Sequence, residues 1–579
     1  MRKIINQVHQ ELGLISGLNF DTGEWSSPPN RELGDLAIPC FKASKLQSKN
    51  PAQFAQEYST KLNESLGAQG KNLIKGAKAA GPYINIHFNS SLVFEDLKKE
   101  ILGQKVTLGK SEKGSGKKLI VEFSSPNIAK EMALHHLRST GIGNALANIA
   151  ELHSYQVVRI NYLGDWGTSH GKNILGLKLF GTEDELLKEG LLYILQIYVR
   201  FNKEEESQPK LSDDAKQCFA ALEAGDPEIN RVWKVLRDLS IEDYQKLYDR
   251  LGIKFDHYHG ESMYVGKNLD ARIAEITEKI GTRQSDGALV CDLPGHKIPV
   301  LLRKDDGASL YISRDFAAVD DRFQTFHFDE SWYVVDTRQS LHFKQLFDLC
   351  TALDKPFKGH LSHIPFGMLK FGNQVMKTRS GNIVYLNDVL DEAKKKALEI
   401  IQQKNPNLEH AEEVAEMIGM GAILFNDLSQ HRERDISFDW AQALSFDGDT
   451  APFIQYTHAR CASLIKKASP LLQSLKVAQE TSTLQDNSLL EHPAVRALMG
   501  EISYFDTFCE KALEYKDPSQ ISTATLNIAK AFNQLYHKVR FLDEKSYEKL
   551  KELLTLCELT QKSLAHGLKI LGIKAPLSM

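Results

Sequence analysis

The sequence lacks three features that would assign it to a special class of protein. None of its seven cysteines form a C-x-x-C pair and their number is odd, so neither a disulfide framework nor a cysteine-rich zinc site is expected. No apolar run approaches the roughly 18 residues that span a bilayer. Basic residues are not in excess, since 71 Lys and Arg stand against 75 Asp and Glu. These absences argue against a membrane-spanning protein and a uniformly basic nucleic-acid coat protein.

The remaining bulk features are those of an ordinary globular protein. The chain has 579 residues, of which 42% are hydrophobic and 25% charged, and this length predicts three or four domains. The first residues read MRKIINQVHQELGL, which is polar and helical and contains no apolar signal segment. We therefore expect a cytoplasmic protein without membrane contact. An organellar protein that has lost a transit peptide remains an open alternative.

The pattern of apolar residues divides the chain into three regions. Residues 1–107 combine helical spacing with the alternating strand YINIHF, which predicts a small α+β domain. Residues 108–447 alternate strands with helices, which is typical of a doubly wound parallel sheet, and charged helices predict an insertion at about 175–300. Residues 448–579 are amphipathic throughout and predict an all-α helical bundle.

One segment between a predicted strand and a predicted helix carries candidate chemistry. Residues 124–140 read SSPNIAKEMALHHLRST. The start of a helix attracts phosphate, and ligands of doubly wound sheets bind at the carboxyl ends of strands. Lys130 and His136 would therefore meet a nucleoside triphosphate. Taken alone, the segment fits equally well with a solvated helix start that carries histidines by chance.

The same segment resembles the signature of the class I arginyl-tRNA synthetases, S-P-N-I-A-K-x-x-H-x-G-H-L-R-S-T. Part of that family's additional N-terminal domain is resembled by the segment RELGDLAIPCFKASKL. Six further blocks of the family follow in order. The resemblance therefore covers nearly the whole chain. The blocks read RINYLGDWGTSHG, GES, DGASLYISRDFAA, YVVDTRQSLHFKQLF, MKTRSGNIVYLNDVLDEA and TAPFIQYTHAR.

The resemblance implies a fold and an activity. The fold would be α/β, with a class I Rossmann-like doubly wound parallel sheet as catalytic domain, an N-terminal α+β domain that contacts the tRNA elbow, and a C-terminal helical anticodon-binding bundle. The activity would be the ATP-dependent conversion of L-arginine to arginyl-adenylate and its transfer to the 3′ end of tRNA(Arg). Mg²⁺ would arrive with ATP, no metal site of the protein itself is expected, and family members are usually monomers that need bound tRNA to activate arginine.

The resemblance also assigns roles to individual residues. A guanidinium group needs planar carboxylate partners, and Tyr311 and Asp315 are spaced to share one helix face, so we expect this pair to bind it. Asn127 and Gln339 would orient the backbone end of the amino acid. The residues predicted to bind arginine are Ser125, Pro126, Asn127, Glu261, Tyr311, Asp315 and Gln339. Those predicted to bind ATP are Lys130, His135, His136, His342, Met376 and Lys377. The predicted catalytic residues are His136, Lys130, Lys377 and Arg379, and the predicted tRNA-binding residues are Tyr456 and Arg460.

Two departures from the family pattern lead to a prediction. The H-x-G-H core reads Ala133-Leu134-His135-His136, so the first histidine is missing and a side chain replaces the glycine beside which adenine lies. The K-M-S-K loop reads QVMKTRSG, without its second lysine, and in such members a lysine matching Lys130 is thought to replace that charge. We therefore predict an intact synthetase with weakened ATP affinity. The alternative is a degenerate paralogue that binds tRNA or arginine without adenylation.

Overall fold

The structure is a computed structural model that describes residues 2–20, 24–28, 30, 32–67, 72–103, 105, 107–303, 311–371, 384–479 and 489–579. The chain forms two compact units. The first, here called the terminal unit, comprises residues 1–110, 394–429 and 440–579. The second, the central unit, comprises residues 111–393 and 430–439. The first and last residues of the chain therefore belong to the terminal unit, and residues between them form the central unit.

The N-terminal part of the terminal unit is the α+β domain that the sequence predicts. Its three strands form an antiparallel sheet in the order β1-β3-β2, covered by helices whose apolar faces are buried. The last helix begins after Asn89, whose side chain accepts a hydrogen bond from the backbone N–H of Leu92. The elements are α1 (Arg2–Ser16), β1 (Leu36–Pro39), α2 (Phe41–Leu46), α3 (Pro51–Gly67), β2 (Ile74–Ala80), β3 (Tyr83–Phe88) and α4 (Ser90–Ile101).

The central unit begins with a strand, a helix and a second strand that runs parallel to the first. A group of helices then precedes the third strand of the same sheet. These elements are β4 (Lys118–Glu122), α5 (His136–Leu152), β5 (Gln156–Leu163), α6 (Thr168–Phe180), α7 (Glu183–Glu189), α8 (Leu191–Ser207), α9 (Lys210–Glu223), α10 (Pro227–Leu251) and β6 (His257–Gly260).

The second half of the central unit adds a small antiparallel sheet, β7-β8-β9, and two more strands of the main sheet. Its elements are α11 (Lys267–Lys279), β7 (Arg283–Ser285), β8 (Ala288–Cys291), β9 (Val300–Arg303), α12 (Tyr311–Phe326), β10 (Glu330–Asp336), α13 (Ser340–Ala352), β11 (Leu361–Phe366) and β12 (Leu369–Phe371). Helix α14 (Leu386–Lys404) leads into the terminal unit, and β13 (Ile436–Phe438) returns to pair with β12.

The main sheet has five parallel strands in the order β11-β10-β4-β5-β6. The chain moves outward from β4 to β6, crosses back to β10 beside β4, and continues outward to β11. The direction of winding therefore changes between β4 and β10. In sheets of this kind the ligand crevice opens at that position, outside the carboxyl ends of the strands. The doubly wound parallel sheet predicted from the sequence is confirmed.

The predicted insertion at about 175–300 is not a single inserted segment in the structure. It contains β6, which pairs with β5 over Ile160↔His257 to Leu163↔Gly260 and so belongs to the main sheet. The interposed helices are α7 to α10, and β6 divides them from α11 and the small sheet. Strand β6 reads HYHG, which offers no apolar run by which periodicity could identify it.

The rest of the terminal unit is helical, as predicted. Helices α18 and α19 pack together, as do α17 and α20, and α20 also packs on α19. Helix α20 begins after Ser546, whose hydroxyl accepts from the backbone N–H of Lys549. The elements are α15 (Ala411–Leu428), α16 (Trp440–Ala443), α17 (Ala451–Gln479), α18 (Pro493–Glu514), α19 (Ser519–Lys538) and α20 (Tyr547–Ile570).

Two further features concern the cysteines and the apolar character of the helices. All seven cysteines are buried and none forms a disulfide. In the part of the chain that the structure describes, no helix combines the length and the apolar character needed to cross a bilayer.

Candidate active site

The loop after β4 is held in an unusual backbone conformation at the crevice. Ser124, Ser125 and Ala129 all have positive φ angles, of 71°, 51° and 59°, a region that side chains disfavour. Such conformations persist only where surrounding contacts fix them. The backbone N–H of Ser124 donates to Ser139 Oγ at 2.9 Å, and that of Ala129 donates to Ser240 Oγ at 2.9 Å. The loop is therefore a rigid element that presents Ser125 to Lys130 at the carboxyl ends of the strands.

Asn127, in the middle of this loop, lies against the end of β5. The backbone N–H of Ile128 donates to the carbonyl of Gly164 at 3.2 Å, and the N–H of Gly164 donates to the carbonyl of Pro126 at 3.1 Å. A Cβ atom at residue 164 would lie 1.9 Å from Asn127 Oδ1, so only glycine allows this close approach. The hydroxyl of Tyr244 donates to the Asn127 carbonyl at 2.7 Å. These contacts fix the backbone of Asn127 at the end of β5.

A cavity of about 290 Å³ opens beside this loop and contains most of the predicted arginine ligands. Six of the seven line it, and Pro126 does not. Tyr311 and Asp315 lie one helical turn apart at the start of α12, as their spacing predicts. We call it the acidic cavity. The predicted arginine ligands that line it are Ser125, Asn127, Glu261, Tyr311, Asp315 and Gln339. Further residues that line it include Glu122, Tyr162, Arg322, Tyr333 and His342.

Two of the three carboxylates of the acidic cavity are paired with arginines of the chain. Glu122 lies at the end of β4 and forms a close ion pair with Arg322; both side chains are buried. Glu261 lies 2.8 Å from Arg314, measured between Oε2 and Nη2. Burial raises the pKa of Glu261 to about 7, although the charge of Arg314 opposes this change.

The third carboxylate, Asp315, has no arginine partner among the described residues. Its Oδ2 atom lies 2.7 Å from Nε2 of His342, which stands on α13. When His342 is neutral, Asp315 supplies the one carboxylate charge of the acidic cavity that no arginine in the described part of the chain neutralises. A cationic ligand would therefore be attracted to Asp315. His342 was assigned to the ATP set, a role that stays a prediction, and the structure places it beside Asp315 in the acidic cavity.

Several buried polar atoms of the acidic cavity have no hydrogen-bond partner among the described residues. They are Ser125 Oγ, Tyr162 Oη, Tyr333 Oη, Oε2 of Glu261, and Nε and Nη2 of Arg322. Buried polar groups are nearly always satisfied in folded proteins, and exceptions indicate a place for a ligand or water. Sequence reasoning missed Glu122, Tyr162 and Tyr333 because they lie in strands that read as buried apolar segments. Their positions near the carboxyl ends of those strands are the signal that identifies them.

The pair formed by Glu122 and Arg322 leads to a prediction about stability. Replacing Arg322 with Gln leaves a buried carboxylate without its cation, which is expected to lower the free energy of unfolding of the central unit by about 3–5 kcal/mol. Thermal unfolding measures this loss, and the double change Glu122→Gln/Arg322→Gln should recover part of it. Arg338→Gln is the control, because Arg338 is 70% exposed in its pair with Asp336 and should contribute at most about 1 kcal/mol. Equal losses in both single variants would contradict the expected difference.

A second cavity, of about 430 Å³, lies on the other side of Asn127, which lines both. It contains the altered signature, and we call it the signature cavity. The residues lining it are Asn127, Lys130, Glu131, Ala133, Leu134, His135, His136, Leu195, Leu369, Val384 and Tyr385. Lys130 Nζ lies 5.4 Å from the ring centre of Tyr198. The two cavities therefore meet at Asn127, within the crevice beside β4.

His136 and His135 differ in environment within the signature cavity. Nδ1 of His136 lies 3.0 Å from the backbone nitrogen of Ala133 and 3.1 Å from its carbonyl oxygen. When Nδ1 accepts from the N–H, Nε2 carries the proton of the neutral ring; when Nδ1 donates to the carbonyl, Nε2 is an acceptor. Burial lowers the pKa of His136 to about 4. His135 is exposed, and its ring centre lies 4.1 Å from that of His136. His136 is thus neutral near pH 7, and the side chain of His135 lines the same cavity.

The low pKa of His136 predicts a pH dependence of stability. The unfolded chain takes up a proton at this residue near pH 6.5, whereas the folded chain takes it up only near pH 4. Between these values the unfolded state binds more protons, so stability decreases as pH falls from 6.5 to 4, by at most about 3 kcal/mol. Thermal unfolding across this range, compared with that of His136→Asn, measures the contribution. Parallel curves for the two proteins would show that His136 titrates normally.

The other predicted residues are placed as follows. Met376, Lys377 and Arg379 lie outside the described residues, and their roles stay predictions. Tyr456 and Arg460 lie on α17 of the terminal unit. The guanidinium carbon of Arg460 lies 4.7 Å from the ring centre of Tyr456 and 4.7 Å from that of Tyr536, so it is sandwiched between two aromatic rings. No cluster of three or more potential metal ligands occurs among the described residues.

Comparisons with known proteins agree with this arrangement. A family model described as tRNA synthetases class I (R), catalytic domain, matches residues 98–440, which is more than half of the chain. The Arginyl tRNA synthetase N terminal domain matches residues 2–88, and the DALR anticodon binding domain matches residues 454–579. The chain belongs to the class I arginyl-tRNA synthetase family. The resemblance found in the sequence is thereby confirmed.

Individual members of the family are similar over their whole length. The arginine–tRNA ligase of Clostridioides difficile (strain 630) is 38% identical over 553 residues, which cover 95% of each chain. That of Halothermothrix orenii is 37% identical and covers 100% of this chain and 99% of its own. The solved arginyl-tRNA synthetases of Thermus thermophilus and Plasmodium falciparum superpose with TM-scores of 0.79 and 0.75, each at 23% identity and over at least 99% of both chains. These structures support the fold.

Compared with the family signature, the signature cavity has lost one histidine and gained another. Ala133 is buried, and its backbone pairs with Tyr385, so the chain here is held in place although its side chain carries no donor. His135 stands where the family has glycine, and its side chain lines the cavity. The second signature histidine, His136, keeps a defined hydrogen bond.

Proposed function

We propose that this protein is an arginine–tRNA ligase, which joins L-arginine to the 3′ end of tRNA(Arg) with ATP as energy source. The observation that carries the proposal is the juxtaposition of two cavities at Asn127. One presents Asp315, a carboxylate that contacts His342 and no arginine among the described residues, and the other contains the signature histidine, His136. Family membership and full-length similarity to curated arginine–tRNA ligases support the same activity.

The acidic cavity suits the side chain of arginine. Asp315 would accept hydrogen bonds from the guanidinium, and the ring of Tyr311 would pack against its planar face. Glu122 and Glu261 remain with their own arginines and keep the cavity polar without binding a second cation. Lysine presents a compact ammonium in place of a planar fork, and citrulline carries no charge. Both would leave Asp315 incompletely paired, so the cavity would reject them.

The signature cavity would hold ATP so that its α-phosphorus faces the arginine carboxylate across Asn127. That carboxylate attacks the α-phosphorus, the bond to the β-phosphate oxygen breaks, and pyrophosphate leaves with its electron pair. His136 would donate from Nε2 to a phosphate oxygen, and Lys130 would add positive charge. Mg²⁺ bound to the triphosphate would neutralise part of its charge. The ribose hydroxyl at the tRNA 3′ end then attacks the arginyl carbonyl and releases AMP.

We propose that the terminal unit binds the rest of the tRNA. Residues 448–579 would bind the anticodon loop, with Tyr456 as a surface on which a base stacks and Arg460 fixing its ring from the other side. Residues 1–107 would contact the tRNA elbow, and residues 108–447 would catalyse the reaction. The protein would act as a monomer in the cytoplasm.

The proposal is tested by incubating the protein with tRNA(Arg), ATP, Mg²⁺ and labelled arginine. The expected result is acid-precipitable arginyl-tRNA, together with arginine-dependent exchange of pyrophosphate into ATP when tRNA is present. Labelled lysine and citrulline should give neither signal. Binding of tRNA without exchange or charging would overturn the proposal and support a binding-only paralogue. Neither the comparisons nor the described residues favour that alternative.

A further inference from the structure

Asp315 and His342 form a contact that joins the first turns of two helices in the acidic cavity. Asp315 lies near the start of α12, and His342 is the third residue of α13. Oδ2 of Asp315 lies 2.7 Å from Nε2 of His342, and both residues line the acidic cavity. Their side chains are 21% and 22% exposed, so both water and a ligand in the cavity can reach the pair.

This contact occupies only one oxygen of the Asp315 carboxylate. Among the described residues, Oδ1 of Asp315 has no hydrogen-bond partner. An ionised carboxylate only accepts hydrogen bonds, so a neutral His342 must carry its proton on Nε2 to donate to Oδ2. A guanidinium is a planar fork of donors, and its binding depends on how the carboxylate is oriented. Neutral His342 therefore holds the carboxylate in place and leaves Oδ1 for a ligand.

The second ring nitrogen of His342 can take up a proton. Nδ1 has no hydrogen-bond partner in the part of the chain that the structure describes, and the ring is partly exposed. Imidazole is the side chain whose charge ordinarily changes between about pH 5 and about pH 8. A protonated His342 would form an ion pair with Asp315 across the same 2.7 Å and would compensate the charge that otherwise attracts a cationic ligand.

The charges around His342 act in opposite directions on its protonation. Asp315 favours the protonated ring, whereas the N-terminal end of α13 disfavours a cation in its first turn. Glu122 is already paired with Arg322. The charged and titratable side chains that share the acidic cavity with His342, or interact with it electrostatically, are Tyr311, Asp315 and Arg322 on α12, Glu122 on β4, Tyr162 on β5, Glu261 directly after β6, Tyr333 on β10 and His363 on β11.

We propose that His342 is a positioning residue that controls how the acidic cavity binds arginine. In its neutral form it orients Asp315 for the guanidinium, and in its protonated form it pairs with Asp315 in place of the ligand. This role rests on the proposed function, because it concerns the guanidinium end of the same substrate. It gives the cavity a proton-dependent affinity for arginine through the partner of Asp315.

Arginine and the added proton of His342 compete for the same carboxylate. When arginine binds to the protonated form, the guanidinium replaces the imidazolium beside Asp315, and the proton passes from Nδ1 to water. By linkage, arginine and the proton each weaken the binding of the other by the same factor. The affinity for arginine therefore falls as pH falls, by at most about tenfold per pH unit for a single proton. It is retained at higher pH, where His342 is neutral.

The test compares three variants of the full-length protein with the parent. His342→Gln keeps a neutral donor near the position of Nε2 but cannot be protonated, and His342→Leu removes the donor as well. His360→Gln is the control, because His360 contacts the carbonyl of Asp329 through Nδ1 and lines neither cavity. Calorimetric titration with L-arginine at about pH 6 and about pH 8 measures affinity. Repeating it in two buffers of different ionisation enthalpy measures the protons released on binding.

The pH dependence should differ between the parent and His342→Gln. From about pH 8 to about pH 6, the parent and His360→Gln should each lose at least about threefold more affinity for arginine than His342→Gln. The parent should also release more protons on binding at the lower pH. Burial raises the pKa of Glu261 to about 7, so this carboxyl titrates in the same range, and its contribution is common to all four proteins. At the higher pH, His342→Leu should bind arginine about tenfold more weakly than His342→Gln, because Asp315 loses its donor.

Equal pH dependence in the parent and His342→Gln would overturn the competition between proton and arginine. If KM for ATP rose in that variant at the same time, His342 would act at the nucleotide, as the sequence predicts. Equal affinities of the Gln and Leu variants at the higher pH would overturn the orienting role. Failure of the parent to charge tRNA while it binds arginine would contradict only the proposed function, because the calorimetric titration does not depend on charging.

Discussion

Replacing Asp315 with Asn is expected to reduce kcat/KM for arginine by about 30- to 5,000-fold. Removing one partner of a buried charge pair costs about 2–5 kcal/mol, which corresponds to this range. Asn keeps the shape of the side chain and one acceptor but removes a carboxylate charge that no arginine among the described residues neutralises. The loss should be measured by arginine-dependent pyrophosphate exchange with tRNA present, and KM for ATP should change little.

A control for this experiment lies on the same helix. Asp321 is outside the acidic cavity and accepts a hydrogen bond from the hydroxyl of Tyr264 at 3.2 Å, a bond that Asn can also accept. Asp321→Asn therefore removes the same charge from α12 without affecting the proposed ligand site. Its activity should remain within a few fold of the parent. If Asp315→Asn lost no more activity than Asp321→Asn, Asp315 would not be the residue that binds the guanidinium.

Restoring the family signature with Ala133→His and His135→Gly is expected to raise kcat/KM for ATP about 100-fold or more. A single donor aimed at transition-state charge contributes about 2.7–4 kcal/mol in comparable sites, and position 133 lacks that donor. Position 135 now places a side chain where adenine would approach the backbone. The single changes separate the effects: His135→Gly should mainly lower KM for ATP, and Ala133→His should mainly raise kcat.

Arginine binding serves as the internal control for these variants, because neither position lines the acidic cavity. KM for arginine should therefore stay close to that of the parent. If the parent already exchanged pyrophosphate at the rate of the restored variant, and His135→Gly changed nothing, the altered core would not weaken ATP binding. The protein would then use His135 or another group in place of the missing histidine.

The sequence predicts those parts of the fold that depend on local pattern. β4, β5, β10 and α13 lie where their apolar periodicity indicates, and the helices of residues 448–579 follow their amphipathic spacing. The spacing of Tyr311 and Asp315 correctly indicates that both line one cavity. These features arise from residues close together in the chain, so period and spacing carry the information.

Contacts between residues that are far apart in the chain could not be predicted from local period and spacing. The pair of Glu122 and Arg322 spans 200 residues, and that of Asp35 and Arg496 spans 461. Neither residue of either pair is distinguishable in sequence from a surface charge. The contact of His342 with Asp315 depends on how α12 packs against α13, and its assignment to ATP stays a prediction.

The arrangement of charges explains how one cavity can be both acidic and selective. Glu122 and Glu261 are neutralised by Arg322 and Arg314, so they shape the cavity without adding sites for a second cation. Asp315 alone retains charge for a ligand. Selectivity for arginine would thus arise from one carboxylate in a rigid, otherwise neutral setting, because a ligand that fails to pair with it leaves a costly desolvated charge.

The most direct measurement is a crystal structure of the protein with L-arginine and a non-hydrolysable ATP analogue. The guanidinium should lie within about 2.7–2.9 Å of the Asp315 carboxylate, as charge-assisted hydrogen bonds do, with the amino acid's carboxylate directed across Asn127 toward the α-phosphate near His136. An arginine bound elsewhere would contradict the account. So would an arginine that occupies the cavity while Asp315 keeps only His342 as its partner.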